Sequence, residues 1–154
     1  MSLVIRRASP IDLDALHRIE LECFTFESFS KQQIAATLKL PSFVNLIAML
    51  DGEPVGFIMG ATEMHKRENV GHIYSVDVKP AYRQRGIGSS LLEALERIFI
   101  GQGVETCYLE VRIDNVAAKS LYSKHGYKLS ETVKNYYGLG INGVRLKKDL
   151  KPNP

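Results

Sequence analysis

The chain contains no tryptophan and only two cysteines, Cys23 and Cys107, in 154 residues. Two such cysteines supply neither a disulfide framework nor a Cys-x-x-Cys site, so stability must come from an apolar core. No apolar run approaches the ~18 to 20 residues that a membrane helix requires. The opening segment, residues 1–8, carries Arg6 and Arg7 and lacks the apolar stretch and small-residue cleavage site of a secretory signal. Charge of one sign is also scarce. The 20 basic and 17 acidic residues leave +3, too little to argue for a nucleic-acid-binding surface. His17, His65 and His125 have no metal-ligand spacing among themselves or with a carboxylate, so no metal is expected. These absences predict a cytoplasmic protein without a nucleic-acid or membrane partner, a monomer or a weak homodimer. What remains is ordinary globular composition, 45% hydrophobic and 24% charged. We expect one domain over residues 1–150 and a short tail, 151–154. A chain this long buries roughly 70% of its unfolded surface.

Hydrophobic periodicity predicts seven strands and four helices in the order βααβββαβαββ, an α/β (α+β) domain with a mixed sheet. Residues 3–7 form a strand, and Ser9-Pro10 with Asp12 starts a helix on which Leu13, Leu16, Ile19 and Cys23 share a face. Residues 24–29 hold three aromatics with neither period, a packing loop. Ser30-Lys31-Gln32-Gln33 is a capping box for a second helix. Strands follow at 44–50 and 55–61, joined through Asp51-Gly52. Residues 62–69 are polar and read as an exposed connection before a strand at 71–78. The clearest helix is 87–100, with Leu91, Leu95 and Ile98 on one face. Then come a strand at 106–111, a helix at 115–125, and strands at 127–133 and 144–148. The basic cluster from Arg145 to Lys151 reads as a solvated strand end and tail.

The chemistry concentrates where the 71–78 strand meets the 87–100 helix, through Lys79-Pro80-Ala81-Tyr82-Arg83-Gln84-Arg85-Gly86-Ile87-Gly88-Ser89-Ser90. Free N–H groups and the dipole at a helix start make an anion site. Gly86 and Gly88 let the backbone approach the anion, Arg83 and Arg85 add charge, and Ser89 adds a hydroxyl. A P-loop is excluded because no Lys-Ser or Lys-Thr pair follows the required glycines. A dinucleotide fingerprint is excluded because Leu91 stands where its third glycine belongs.

Arg83-Gln84-Arg85-Gly86-Ile87-Gly88 resembles the acyl-CoA pyrophosphate loop of the GNAT acetyltransferases. The resemblance continues from Tyr108-Leu109-Glu110-Val111 through Asn115 and Leu121-Tyr122 to Gly126-Tyr127, and is to the RimI and Ard branch, which acetylates protein N-termini. It implies a GNAT-like domain, its sheet mostly antiparallel, using acetyl-CoA and releasing CoA. It further implies that the backbone of Val76, Asp77 and Val78 pairs with the pantetheine arm. The loop from Arg83 and Gln84 through Arg85, Gly86, Ile87, Gly88 and Ser89 to Ser90 would hold the pyrophosphate. Asn115 would touch the cofactor and Tyr122 would lie near the thioester sulfur. Glu110 is the family's candidate base, and His72 occupies the position of a histidine near the amine in Ard-like enzymes. The loop with Phe26, Glu27 and Phe29 resembles a peptide-contacting loop, and Asn135-Tyr136-Tyr137-Gly138 resembles a Tyr-Tyr hairpin in the same enzymes.

The side chains suit that chemistry. Acetyl transfer needs a neutral amine, a polarised carbonyl and a proton for the departing thiolate. An α-amine, with a pKa near 7.7 to 8.0 against about 10.4 for lysine, needs only a modest base. Glu110 and His72 are both candidates, and Tyr122 is the candidate acid. Phe26, Phe29, Tyr74, Tyr136 and Tyr137 offer an apolar collar for a peptide, a ribosomal protein or nascent chain being the acceptor the resemblance suggests. Acidic residues usually follow the family's tyrosines, whereas here Gly138-Leu139-Gly140-Ile141-Asn142-Gly143 does. This departure keeps a second acceptor class open, a small amine such as a polyamine or amino acid. A non-catalytic acyl-CoA-binding domain is the third alternative.

Overall fold

In the computed structural model, residues 2–24 and 28–150 are described; Phe26, Glu27 and the tail 151–154 lie outside the described residues. The seven strands are β1 (Leu3–Arg7), β2 (Phe43–Leu50), β3 (Glu53–His65), β4 (Glu68–Val78), β5 (Thr106–Arg112), β6 (Lys128–Val133) and β7 (Gly143–Asp149). They form one sheet in the order β1-β2-β3-β4-β5-β7-β6. Its four helices are α1 (Leu13–Cys23), α2 (Lys31–Lys39), α3 (Ile87–Gly101) and α4 (Val116–Lys124). The expected element order is therefore observed. Ser30 and Gln33 make the reciprocal capping-box bonds at 3.1 and 2.8 Å, and α2 starts there.

Helices cover both faces. Leu91, Leu95 and Phe99 of α3 pack on Val44, Ile58 and Ile73, while Leu16 and Ile19 of α1 and Ile34 of α2 pack on Ile47, Phe57 and Met59. Buried on both sides, β2 is apolar except for Asn45, and β3 is apolar from Val55 to Met59. Two glycines set how closely α3 approaches. A Cβ on Gly71 would fall 2.6 Å from the Phe99 ring, and one on Gly60 would fall 2.7 Å from Leu95 Cδ2. Gly71→Ala is accordingly expected to cost about 1–3 kcal/mol by overpacking. That lowers the melting temperature by ~2–4 °C per kcal/mol for a chain of this size. An unchanged melting curve would mean that Phe99 can yield.

One expectation fails at the β3–β4 hairpin. Residues 62–69 are not a connection; β3 runs on to His65 and β4 starts at Glu68. Lys66 and Arg67 turn the chain with φ of 48° and 68°, without the glycine or asparagine that usually marks such a turn. The hairpin end is only partly covered, with Met64 68% exposed, so its residues are polar although the backbone is fully paired.

Two features of β4 build the site. β4 and β5 are parallel, joined through α3, and their ladder holds only Gly71–Cys107, His72–Tyr108 and Ile73–Leu109. Beyond Ile73 the strands separate. Against β3, the register steps from Gly60–Ile73 to Met59–Ser75, so Tyr74 is the extra residue of a β-bulge. The bulge reverses the alternation: Ile73, Val76 and Val78 all join the α3-side core, whereas Ser75 faces α1. No helix among the described residues is long and apolar enough to cross a membrane.

Candidate active site

The separation of β4 from β5 opens a cavity of about 210 Å³. Tyr74, Ser75 and Val76 of β4 line one side, and Glu110, Val111 and Arg112 of β5 the other. Asn115, Ala118 and Tyr122 close one end, and Phe24, Phe29, Tyr136 and Tyr137 form an aromatic rim. The topology therefore brings Tyr74, Glu110, Asn115, Tyr122, Phe29, Tyr136 and Tyr137 to one place.

Glu110 is at the centre of a hydrogen-bonded cluster. Its carboxylate is 4% exposed, accepts from Arg145 Nε at 2.8 Å and the Tyr136 hydroxyl at 3.2 Å, and lies 2.6 Å from His72 Nε2. The other ring nitrogen, Nδ1, meets Glu63 Oε1, and Glu63 Oε2 accepts the Tyr74 hydroxyl at 2.7 Å. Burial pushes the Glu110 carboxyl up, but His72 and Arg145 outweigh it and hold it below its ordinary range. Burial works against charge on His72, yet Glu110 and Glu63 together raise its pKa above the ordinary value. Burial first, then Glu110, pushes the Tyr136 phenol up to about 12.

Glu63 and Arg145 are site residues that the sequence did not single out. Glu63 lay in a segment read as a connection. Arg145 lay in a basic run read as solvated, but it faces Glu110 across the β5–β7 register and also pairs with Glu131. Lys148 of the same run is likewise engaged, 3.0 Å from the buried carboxylate of Glu96.

Tyr122 is buried and stacks edge-on against Tyr127, and burial pushes its phenol well up, so its hydroxyl keeps its proton at any working pH. Cys107, 0% exposed, has its thiol pushed up to about 12 by burial, which rules it out as a nucleophile.

The strand-to-helix turn leaves backbone N–H groups free at the start of α3. Gln84 and Gly86 take left-handed φ of 64° and 80°, and a Cβ on Gly86 would meet nothing within 4 Å. As N-cap of α3, Gly86 supplies no side-chain acceptor, so the N–H groups of Ile87, Gly88 and Ser89 have no intrahelical partner. The Ser90 N–H is used, bonding Gly86 O at 3.0 Å. The Ile87 side chain is buried and anchors the helix, leaving its backbone to the turn. Arg85 stacks over Tyr82, Arg83 Nε donates to Val78 O at 3.0 Å, and Ser89 Oγ lies 2.9 Å from His125 Nε2. Of the β4 residues expected at the cofactor, Val76 lines the cavity. The Asp77 side chain points away from it, buried with Ser75 Oγ at 2.7 Å. Asn115 uses its Oδ1 to cap α4 through the Ala118 N–H at 3.1 Å.

The profile of the acetyltransferase (GNAT) family matches residues 13–127. An N-alpha-acetyltransferase of Sulfurisphaera tokodaii is 32% identical over 145 residues, 88% of this chain and 86% of its own. Among solved structures, Ard1 from Thermoplasma volcanium matches with a TM-score of 0.88 at 27% identity, covering 99% of this chain and 100% of that one. The ribosomal-protein-S18-alanine N-acetyltransferase from Escherichia coli matches with a TM-score of 0.84 at 25% identity, covering 99% of this chain and 97% of its own. The chain belongs to the GNAT acetyltransferase family. It is an N-acetyltransferase that uses acetyl-CoA.

Proposed function

We propose that the protein transfers the acetyl group of acetyl-CoA to the α-amine of a protein or peptide N-terminus, in the cytoplasm and by direct attack. The observation that carries this reading is the composition of the cavity. Its aromatic rim suits the first residues of a peptide, and its two carboxylates are already engaged. Glu110 is held by His72, Arg145 and Tyr136, and Glu20 accepts from the Phe29 N–H at 2.9 Å and the Ser75 hydroxyl at 3.2 Å. A polyamine site needs free carboxylates along its length, which this cavity lacks among the described residues. The N-alpha-acetyltransferase relative and the S18-alanine N-acetyltransferase neighbour support the same acceptor class.

Acetyl-CoA supplies the acetyl thioester. The chain's own groups fit it: the β4 edge from Val76 through Asp77 to Val78, freed where the ladder with β5 ends, offers backbone to an amide-bearing arm. The uncapped N–H groups of the turn from Gly86 to Ser89, with Arg83, Gln84, Arg85 and Ser90 around them, would receive the pyrophosphate. Asn115 would face the cofactor from the start of α4. Glu110 takes the proton of the acceptor ammonium and His72 supports that transfer. Tyr122, protonated by virtue of its burial, donates to the leaving sulfur. Phe29, Tyr74, Tyr136 and Tyr137 hold the peptide.

The test is CoA release with acetyl-CoA and peptides differing in their first two residues, beside spermidine and a lysine peptide blocked at its N-terminus. Turnover is expected with free N-termini and not with the blocked peptide. Reaction with spermidine alone would overturn the acceptor assignment.

A further inference from the structure

An α-ammonium that becomes an amide loses two protons. One ends on the CoA sulfur, and the second must leave the site. Glu110 is well placed to take that second proton from the acceptor but badly placed to keep it. It is buried, bonded to Arg145 and His72, and held in its ionised form. Among the described residues, the hydrogen-bonded neighbour of Glu110 that can accept a proton from it is His72, whose ring touches Glu110 through Nε2 and Glu63 through Nδ1. We infer that Glu63 is a positioning residue that makes His72 the sink for the proton Glu110 removes from the acceptor. This rests on the reading of Glu110 as the base.

The geometry defines the role. Once Glu110 has taken the acceptor's proton, Glu63 is the one flanking carboxylate that can only accept, so the neutral ring carries its proton on Nδ1 towards Glu63 and turns its Nε2 lone pair to the protonated Glu110. A proton leaving Glu110 Oε1 for Nε2 restores the Glu110 carboxylate and creates an imidazolium between two carboxylates. No charge is stranded. Glu63 is in turn fixed by the Tyr74 hydroxyl at 2.7 Å, and the bulge at Tyr74 presents that residue beside His72, the two rings 4.2 Å apart. Side-chain exposure rises from 4% at Glu110 to 15% at His72 and 39% at Glu63, so the sink drains towards water. Burial opposes charge on His72, and Glu110 on β5 and Glu63 on β3 favour it. The other titratable groups facing the cluster are Tyr74 on β4, beside the ring, and Arg145 and Tyr136, bonded to Glu110, while Tyr108, the β5 register partner of His72, stacks on His65.

A neutral His72 is the active form, so kcat rises with pH through the His72 pKa. Glu63→Gln keeps an acceptor for the Nδ1 proton but removes the charge that raises this pKa. The pH limb of kcat is expected to move to lower pH, with the plateau reduced at least about tenfold. Glu63→Leu also removes the acceptor and is expected to lower the plateau further, and Glu63→Asp to restore part of it. The titration of the acceptor amine is common to all these enzymes, so the limb is read as a difference from the parent. NMR titration of labelled His72, without substrate, is expected to show its pKa lowered in Glu63→Gln. If Glu110→Gln slows turnover while Glu63→Gln, made separately, keeps the parent kcat, pH limb and His72 titration, the role of Glu63 alone is overturned. Full turnover in Glu110→Gln would instead overturn the base reading and this inference with it.

Discussion

Gly86→Asp is expected to raise the dissociation constant for acetyl-CoA by about two orders of magnitude. Two effects add. The residue sits at φ of 80°, where a side chain costs about 1–2 kcal/mol, although the Cβ itself meets no atom within 4 Å. The new carboxylate also stands at the N-terminus of α3, where it occupies the dipole and the free N–H groups as an internal anion. That competition contributes up to ~2 kcal/mol in partly buried geometry. Gly86→Ala separates the two, because it carries the backbone strain without the charge and should lose only about tenfold. Isothermal titration with acetyl-CoA measures both. Parent-like affinity in Gly86→Asp would remove this turn from the cofactor site.

Glu110→Gln is expected to cut turnover by about 10²- to 10⁴-fold, the usual contribution of a positioned base, with little change in acetyl-CoA affinity. The carboxylate accepts from Arg145 and Tyr136 and faces His72 Nε2, and an amide with a single acceptor oxygen cannot hold all three contacts. Arg145 is then left partly buried against a neutral group, so some loss of thermal stability accompanies the loss of rate. The two losses are separable. Arg145→Met removes the ion pair and frees Glu110 from one of its charge partners, so it should cost far less turnover than Glu110→Gln. Rates are best compared from about pH 6 to 9, where the parent Glu110, held below the ordinary carboxylate range, stays ionised. Unchanged turnover of Glu110→Gln across that window would remove Glu110 as the base.

Much of this site was legible because its parts are local. The strand, basic turn, glycine pair and strong helix from Val76 to Leu95 follow one another in the chain, and each has a short-range signal: alternation, helix-start chemistry, 3.6-residue periodicity. Glu110 and Tyr122 stand on elements whose order was readable from the same signals. Residues of the second kind depend on which strands become neighbours. Glu63 and His72 face each other only because β3 runs on past Ala61 to His65 and β4 starts at Glu68, ahead of the strand read as beginning at Gly71. Arg145 reaches Glu110 only because β7 inserts between β5 and β6. The acid pair of Glu20 and Asp77 behaves alike, brought together from α1 and β4 and bridged by Ser75, with burial first and then Glu20 pushing the Asp77 carboxyl up.

By itself, then, the sequence determined the element order and the basic, glycine-containing turn into α3, because sterics, capping and hydrophobic periodicity act over a few residues. The cavity and the ionisation of its groups were decided by tertiary structure. The bulge at Tyr74 and the ending of the β4–β5 ladder at Ile73 and Leu109 are long-range pairings. The β3–β4, β4–β5 and β5–β7 registers bring Glu63, His72, Glu110 and Arg145 within hydrogen-bond distance, where burial strengthens every charge they share.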